Sequence, residues 1–111
     1  MEFLNKVTLK GIVHSVYTTK VADKYNIRFS LLTENCFTSG GNSCIESTWH
    51  HCSIFSDKED AIKKGDVIRI DGRLKQVPYV SNDGTNRYST EIVVNSYSKE
   101  PEKELPRFYG D

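Results

Sequence analysis

The stretch "DVIRIDGRLKQV", Asp66 to Val77, alternates with a period of two: Ile68, Ile70, Gly72 and Leu74 fall on one parity, and Arg69, Asp71, Arg73 and Lys75 on the other. Successive side chains of a β-strand point to opposite faces, so this pattern builds one apolar face, whereas a helix would scatter the isoleucines around its circumference. A chain that carries such a strand must supply others to cover it. "NKVTLKGIVHSV" (5–16) sets Val7, Leu9 and Val13 against Lys6, Thr8 and Lys10, with Gly11 where a small barrel needs a sharp bend or bulge. "YNIRFSLLTE" alternates Ile27, Phe29 and Leu31 with Asn26, Arg28 and Ser30, which points the odd positions at the core. "RYSTEIVVNSY" follows the turn-rich "SNDGTN" and is suited to pair back on its predecessor as a hairpin.

The remaining segments read differently. "NCFTSGGNSCIES" (35–47), with its Gly-Gly pair and small polar residues, has the marks of a flexible surface hairpin loop. "STWHHCSIFS" (47–56) is a further strand. "SDKEDAIKKGD" offers Ser56 or Asp57 as an N-cap, acidic residues in the first turn and lysines before Gly65, the composition of a short helix. The resulting order is three strands, a short helix and two strands. That is the element order of the OB-fold, an all-β, five-stranded, partly open barrel with one short helix between strands 3 and 4, which commonly binds oligonucleotides on one face.

With 111 residues the chain has room for one hydrophobic core. Residues 1–97 are expected to form that domain, and the charged segment 98–111, with two prolines, an extended, flexible tail. No apolar run approaches the roughly 18 residues of a membrane-spanning helix, and "MEFLNKVTLKG" lacks the pattern of a secretory signal, so a cytoplasmic location without membrane association is expected. Three cysteines, Cys36, Cys44 and Cys52, are an odd number best read as free thiols. Fifteen basic and fifteen acidic residues leave no net charge, so any basic surface must be local.

In "STWHHCSIFS" the period of two puts Trp49, His51, Ser53 and Phe55 on one face and His50, Cys52 and Ile54 on the other. Trp49 and Phe55 are separated by about six strand steps, or roughly 20 Å, a span on the scale of several splayed nucleotides. The plainer alternative is that both fill the core. Parity favours the surface, because Cys52 and Ile54 form a compact apolar face while His51 and Ser53 accompany the aromatics. Phe37, Tyr79 and Tyr88 extend the aromatic set, and Lys6, Lys10, Lys20, Lys24, Arg28, Arg73, Lys75 and Arg87 are interspersed with it. Aromatic faces to stack bases and cations to meet phosphates are the two ingredients of single-strand binding.

Cys36, Cys44, His50, His51 and Cys52 are ligand types, but they lack the short paired spacings of zinc sites, and no metal or other cofactor is expected. No nucleophile elbow, phosphate loop or paired acidic site is present, so a non-enzymatic role is expected.

Several pieces, in order and with compatible spacing over about 5–97, resemble the bacterial-type single-stranded DNA-binding proteins: "NKVTLKG", "TWHHCSIF", "IKKGDVIRIDGRL" and "DGTNRYSTEIVVN". The resemblance implies an OB-fold subunit in a homotetramer or homodimer that binds single-stranded DNA in replication, recombination and repair. It implies stacking by Trp49 and Phe55, with Tyr79 and Phe37 at two further aromatic positions, and DNA-path cations at Lys6, Lys75 and Arg87; Arg73 joins the expected DNA-binding set as one of the cations interspersed along the strands. His50 matches a subunit-interface histidine. His51 stands where the family commonly has a cation, and "ELPRFYGD" departs from the acidic, Phe-ending tip through which relatives recruit replication and repair proteins. A primosome-like interaction module that binds DNA weakly is the competing reading.

Overall fold

The computed structural model describes residues 1–100. They form five strands, β1 (Val7–Val21), β2 (Lys24–Ser39), β3 (Asn42–Ser56), β4 (Val67–Val80) and β5 (Asn86–Lys99). These close into a barrel in the order β1-β2-β3-β5-β4, with every neighbouring pair antiparallel except β3 with β5. That is the five-stranded OB-fold expected from the order of the elements.

The expected parities fill the barrel. Ile27, Phe29 and Leu31 of β2, Cys52 and Ile54 of β3, Ile68 and Ile70 of β4, and Ile92 and Val94 of β5 pack around Val13 of β1. Leu74, on the same parity as Ile70, is exposed instead, because β1 no longer pairs with β4 beyond Val7↔Gly72 and from there β4 is flanked by β5 alone.

Two glycines make closure possible. A Cβ on Gly11 would lie 2.1 Å from the Leu32 carbonyl oxygen, and one on Gly72 would lie 2.2 Å from that of Val93. Both sit at corners. Around Gly11, β1 passes from pairing with β4 to pairing with β2, and at Gly72 the β4–β5 register shifts. Asn5 extends the β1–β4 edge by side chain alone: its amide donates to the Leu74 carbonyl at 2.8 Å and accepts from the Leu74 N–H at 2.9 Å.

Two expectations need correction. The segment between β3 and β4 contains no helix; it is a series of turns and bends. Its cap is partly made, since the Lys58 N–H donates to Ser56 Oγ at 3.1 Å. Yet its backbone is drawn elsewhere: the Gly65 N–H donates to the Val13 carbonyl at 2.8 Å, and the Asp66 carbonyl accepts from the Val13 N–H at 2.9 Å. Ala61 and Ile62 are buried against the core cluster, so the segment plugs the barrel. A helix this short has little nucleation free energy to set against those contacts.

Residues 35–47 are not a loop either. The β2–β3 ladder continues unbroken to Ser39↔Asn42, leaving only Gly40 and Gly41 as the turn. The β-forming Thr, Cys, Phe and Ile residues there hold an extended ribbon in place. At the other end of the barrel β5 runs to Lys99, and the Glu100 N–H donates to the Val67 carbonyl at 2.7 Å. The rest of the expected tail, 101–111, lies outside the described residues.

Candidate nucleic-acid interface

Directly paired residues in an antiparallel ladder project from the same face, so the register of β1, β2 and β3 defines the outer surface of the barrel row by row. Thr19, Asn26 and Phe55 form one row, Tyr17, Arg28 and Ser53 the next, then Ser15, Ser30 and His51, and last Ile12, Leu32 and Trp49. Trp49 and Phe55 therefore share one face, as their parity requires. Both are open to solvent, at 49% and 62% of full exposure, which rules out the core-filling alternative.

Ser53 departs from the wet face expected of it and is buried. Strand β5 runs parallel beside it, with Ser53 opposite Val93, and covers it.

Tyr17 was not among the expected site residues, and the reason is physical. On the odd parity of Val7, Leu9 and Val13 it would point inward. A β-bulge between Val13 and Ser15 inserts His14 as an extra residue and inverts the parity of everything beyond it. Val16 then pairs with Phe29 on the core side, and Tyr17 faces out beside Arg28, 71% exposed. It thus occupies the gap between Trp49 and Phe55. The extruded His14 meets Trp49 edge to face, with ring centroids 4.9 Å apart and planes at 68°. An "HSVY" run that breaks the alternation was the only trace of this in the sequence.

A cleft of about 660 Å³ opens on this face. His14, Trp49, Tyr17, Arg28 and His51 line it, with Ser89 to Glu91 of β5 along one side. Its volume falls within the roughly 300–1,000 Å³ of small-ligand clefts.

The other expected residues are distributed around it. Tyr79 pairs with Arg87 on the β4–β5 ribbon, where Arg87 lies 3.6 Å from the Asp83 carboxylate. Lys75 is opposite Glu91, and Arg73 donates to Asn95 Oδ1 at 3.1 Å. Lys6 lies just before β1, between Asn5, which binds Leu74, and Val7, which pairs with Gly72. Phe37 is exposed on the β2–β3 ribbon, but its row contains Cys44 and lies on the parity of His50, the reverse of the Trp49 face.

His50 is half-buried opposite Leu31 and shares a 2.9 Å hydrogen bond with Thr33 Oγ1. Burial holds its pKa below the usual histidine value. Burial, and then the charge of Glu91, push the Cys52 thiol up to about 12. In the turn that joins β4 to β5, hydrogen bonds from Ser81 and Thr85 lower the Asp83 carboxyl to about 2. Among the described residues no group of three His, Cys, Asp or Glu side chains is placed to hold a metal, and no helix is long and apolar enough to cross a membrane.

A small OB barrel that presents exposed aromatics and an arginine on the outer face of β1–β3 defines a class of nucleic-acid-binding domain. Within that class the chain belongs to the single-strand binding protein family, whose model matches residues 4–99. The family is one of DNA-binding proteins rather than enzymes. Two curated relatives, the single-stranded DNA-binding proteins of Xanthomonas axonopodis pv. citri and Xanthomonas campestris pv. campestris, are each 30% identical over 99 residues, which is 83% of this chain. It spans 55% and 58% of their lengths, respectively. Among solved structures, the Plasmodium falciparum SSB complex with ssDNA superposes with a TM-score of 0.71 at 19% identity, covering 89% of this chain and 95% of that one. A deletion mutant of the Thermus aquaticus single-stranded DNA binding protein gives 0.75 at 18%, covering 90% and 52%. At these identities the structural likeness is one of fold.

Proposed function

We propose that the chain binds and protects single-stranded DNA, with little regard to sequence, in replication, recombination and repair. The observation that carries this reading is the unobstructed outer face of β1–β3, where Trp49, Tyr17 and Phe55 surround Arg28. Bases stack on the aromatics at about 1–3 kcal/mol each, a contribution that tolerates any base because every base has a π-face. Arg28 meets phosphate there, and Lys6, Arg73, Lys75 and Arg87 carry the strand towards the β4–β5 ribbon and Tyr79. Phe37 offers a further aromatic to a strand that wraps over the β2–β3 ribbon. The subunits assemble into a tetramer or dimer with His50 near the contact, in the cytoplasm beside the nucleoid, where replication and repair proteins are the available partners.

Trp49 is the chain's one tryptophan, so its fluorescence reports this face alone. Titration with oligo-dT at low salt is expected to quench it, and affinity should fall steeply as salt rises, because binding releases condensed counterions. Absence of quenching and of any mobility shift at low salt would exclude the reading. DNA binding that is unaffected by Trp49→Ala and Phe55→Ala would favour an interaction module instead.

A further inference from the structure

Trp49 stands where its strand has a neighbour on one side only. Strand β3 pairs with β2 along its whole length, Leu32 lying opposite Trp49, but it meets β5 only at Cys52 and Ser53. An indole half open to solvent beside such a free edge would exchange between rotamers, and a base could stack on it only by stopping that motion. His14 stands against it. The ring centroids are 4.9 Å apart and the planes lie at 68°, the edge-to-face arrangement that aromatic pairs favour.

His14 can hold the indole because it is itself held. The bulge that extrudes it is pinned at both ends. Val13 is buried, its N–H donates to the Asp66 carbonyl at 2.9 Å, and its carbonyl accepts from the Gly65 N–H at 2.8 Å. On the other side the Ser15 N–H donates to Ser30 Oγ at 3.2 Å, and the two hydroxyls are 2.6 Å apart. Between these anchors the exposed His14 side chain lines the cleft, and among the described residues its imidazole makes no hydrogen bond or ion pair. Its ring is thus free to pack on Trp49. Bulges recur beside functional sites, where they re-aim a side chain, and this one presents a ring to the indole.

We propose that His14 is a positioning residue for single-strand binding: carried on the pinned bulge, its imidazole braces the Trp49 indole in the orientation that receives a base. The role rests on the single-strand reading above. His14 acts through Trp49 rather than on the strand, so its effect disappears when the indole does.

A double-mutant cycle on the full chain tests this, with binding of labelled oligo-dT followed at neutral pH and one fixed low salt concentration. His14→Ala is expected to weaken binding about threefold to tenfold, the consequence of having to order one side chain on binding. His14→Phe keeps a ring on the bulge and is expected to restore the affinity. In a Trp49→Ala background, His14→Ala is expected to cause no further loss. Unchanged affinity of His14→Ala would overturn the proposal, as would a loss that His14→Phe does not restore. An equal loss in the Trp49→Ala background would overturn it too, because His14 would then touch the strand itself. Should Trp49→Ala bind too weakly to measure or fail to fold, the fluorescence anisotropy decay of the single tryptophan in the free protein decides. Faster indole motion in His14→Ala supports the brace, and unchanged motion overturns it. Failure of the unaltered protein to bind oligo-dT at low salt would instead remove the single-strand reading, and the role with it.

Discussion

Three cysteines in one chain occupy three different environments, and their reactivity should follow. Cys36 is exposed on the β2–β3 ribbon, Cys44 is intermediate and Cys52 is buried. The thiolate is the reactive form, and a thiol pushed up to about 12 by burial and by Glu91 has almost none of it at neutral pH. Iodoacetamide is therefore expected to label Cys36 in the folded protein, and Cys52 only after denaturant is added. Mass spectrometry of the digested protein checks both. Rapid labelling of native Cys52 would mean that β3 and β5 open where Cys52 faces Ile92. At this scale the inward and outward positions of β2 and β3 were largely legible. Ile27, Phe29, Leu31, Cys52 and Ile54 are buried where alternation puts them, and Trp49, His51 and Phe55 are exposed. Ser53 was not legible, because its cover comes from β5, a strand distant in the chain.

At the scale of elements, the strands follow from local pattern, while their corners depend on what lies across from them. Gly72 illustrates this. Nothing in "RIDGRL" says that the Val93 carbonyl will sit 2.2 Å from where a Cβ would be. Gly72→Ala must push back the backbone of β5 rather than a flexible side chain, and is expected to cost about 2 kcal/mol or more. Urea denaturation measures it as a lower midpoint. The segment between β3 and β4 is the counter-example to local reasoning. Its caps and charges suit a helix, but the barrel end needs Ala61 and Ile62 as a plug and Val13 needs its backbone partners, so tertiary contacts override propensity. The bulge at His14 had the largest functional consequence. One extra residue moves Tyr17 from the core parity to the surface.

For the molecule as a whole, the proposed DNA path is a property of adjacency rather than of composition. A chain with no net charge has no general attraction for a polyanion. Its affinity must come from stacking and from local cations, several of which are already engaged: Arg87 with Asp83, Arg73 with Asn95, and Lys24 with Asp57. Loss of one central aromatic should therefore be costly. Tyr17→Ala is expected to weaken oligo-dT binding by about 1–3 kcal/mol, the worth of one stacked base, which is a factor of roughly 5 to 150. Fluorescence titration at fixed salt measures it, with the melting temperature as a control for folding. An unchanged affinity would mean that the strand runs past Trp49 and Phe55 without crossing β1.

By itself the sequence determined that this chain is a five-stranded barrel, which residues of β2 and β3 face its core, and that Trp49 and Phe55 share a face. Period-two alternation is a local property that survives any surroundings. The family, too, is legible in ordered motifs along the chain. Tertiary structure alone decided that Tyr17 joins that face, that Ser53 leaves it, and that Glu91 reaches the cleft. Each of these depends on a bulge or on pairing between β3 and β5, residues some forty positions apart, and neither leaves a periodic signal in the chain.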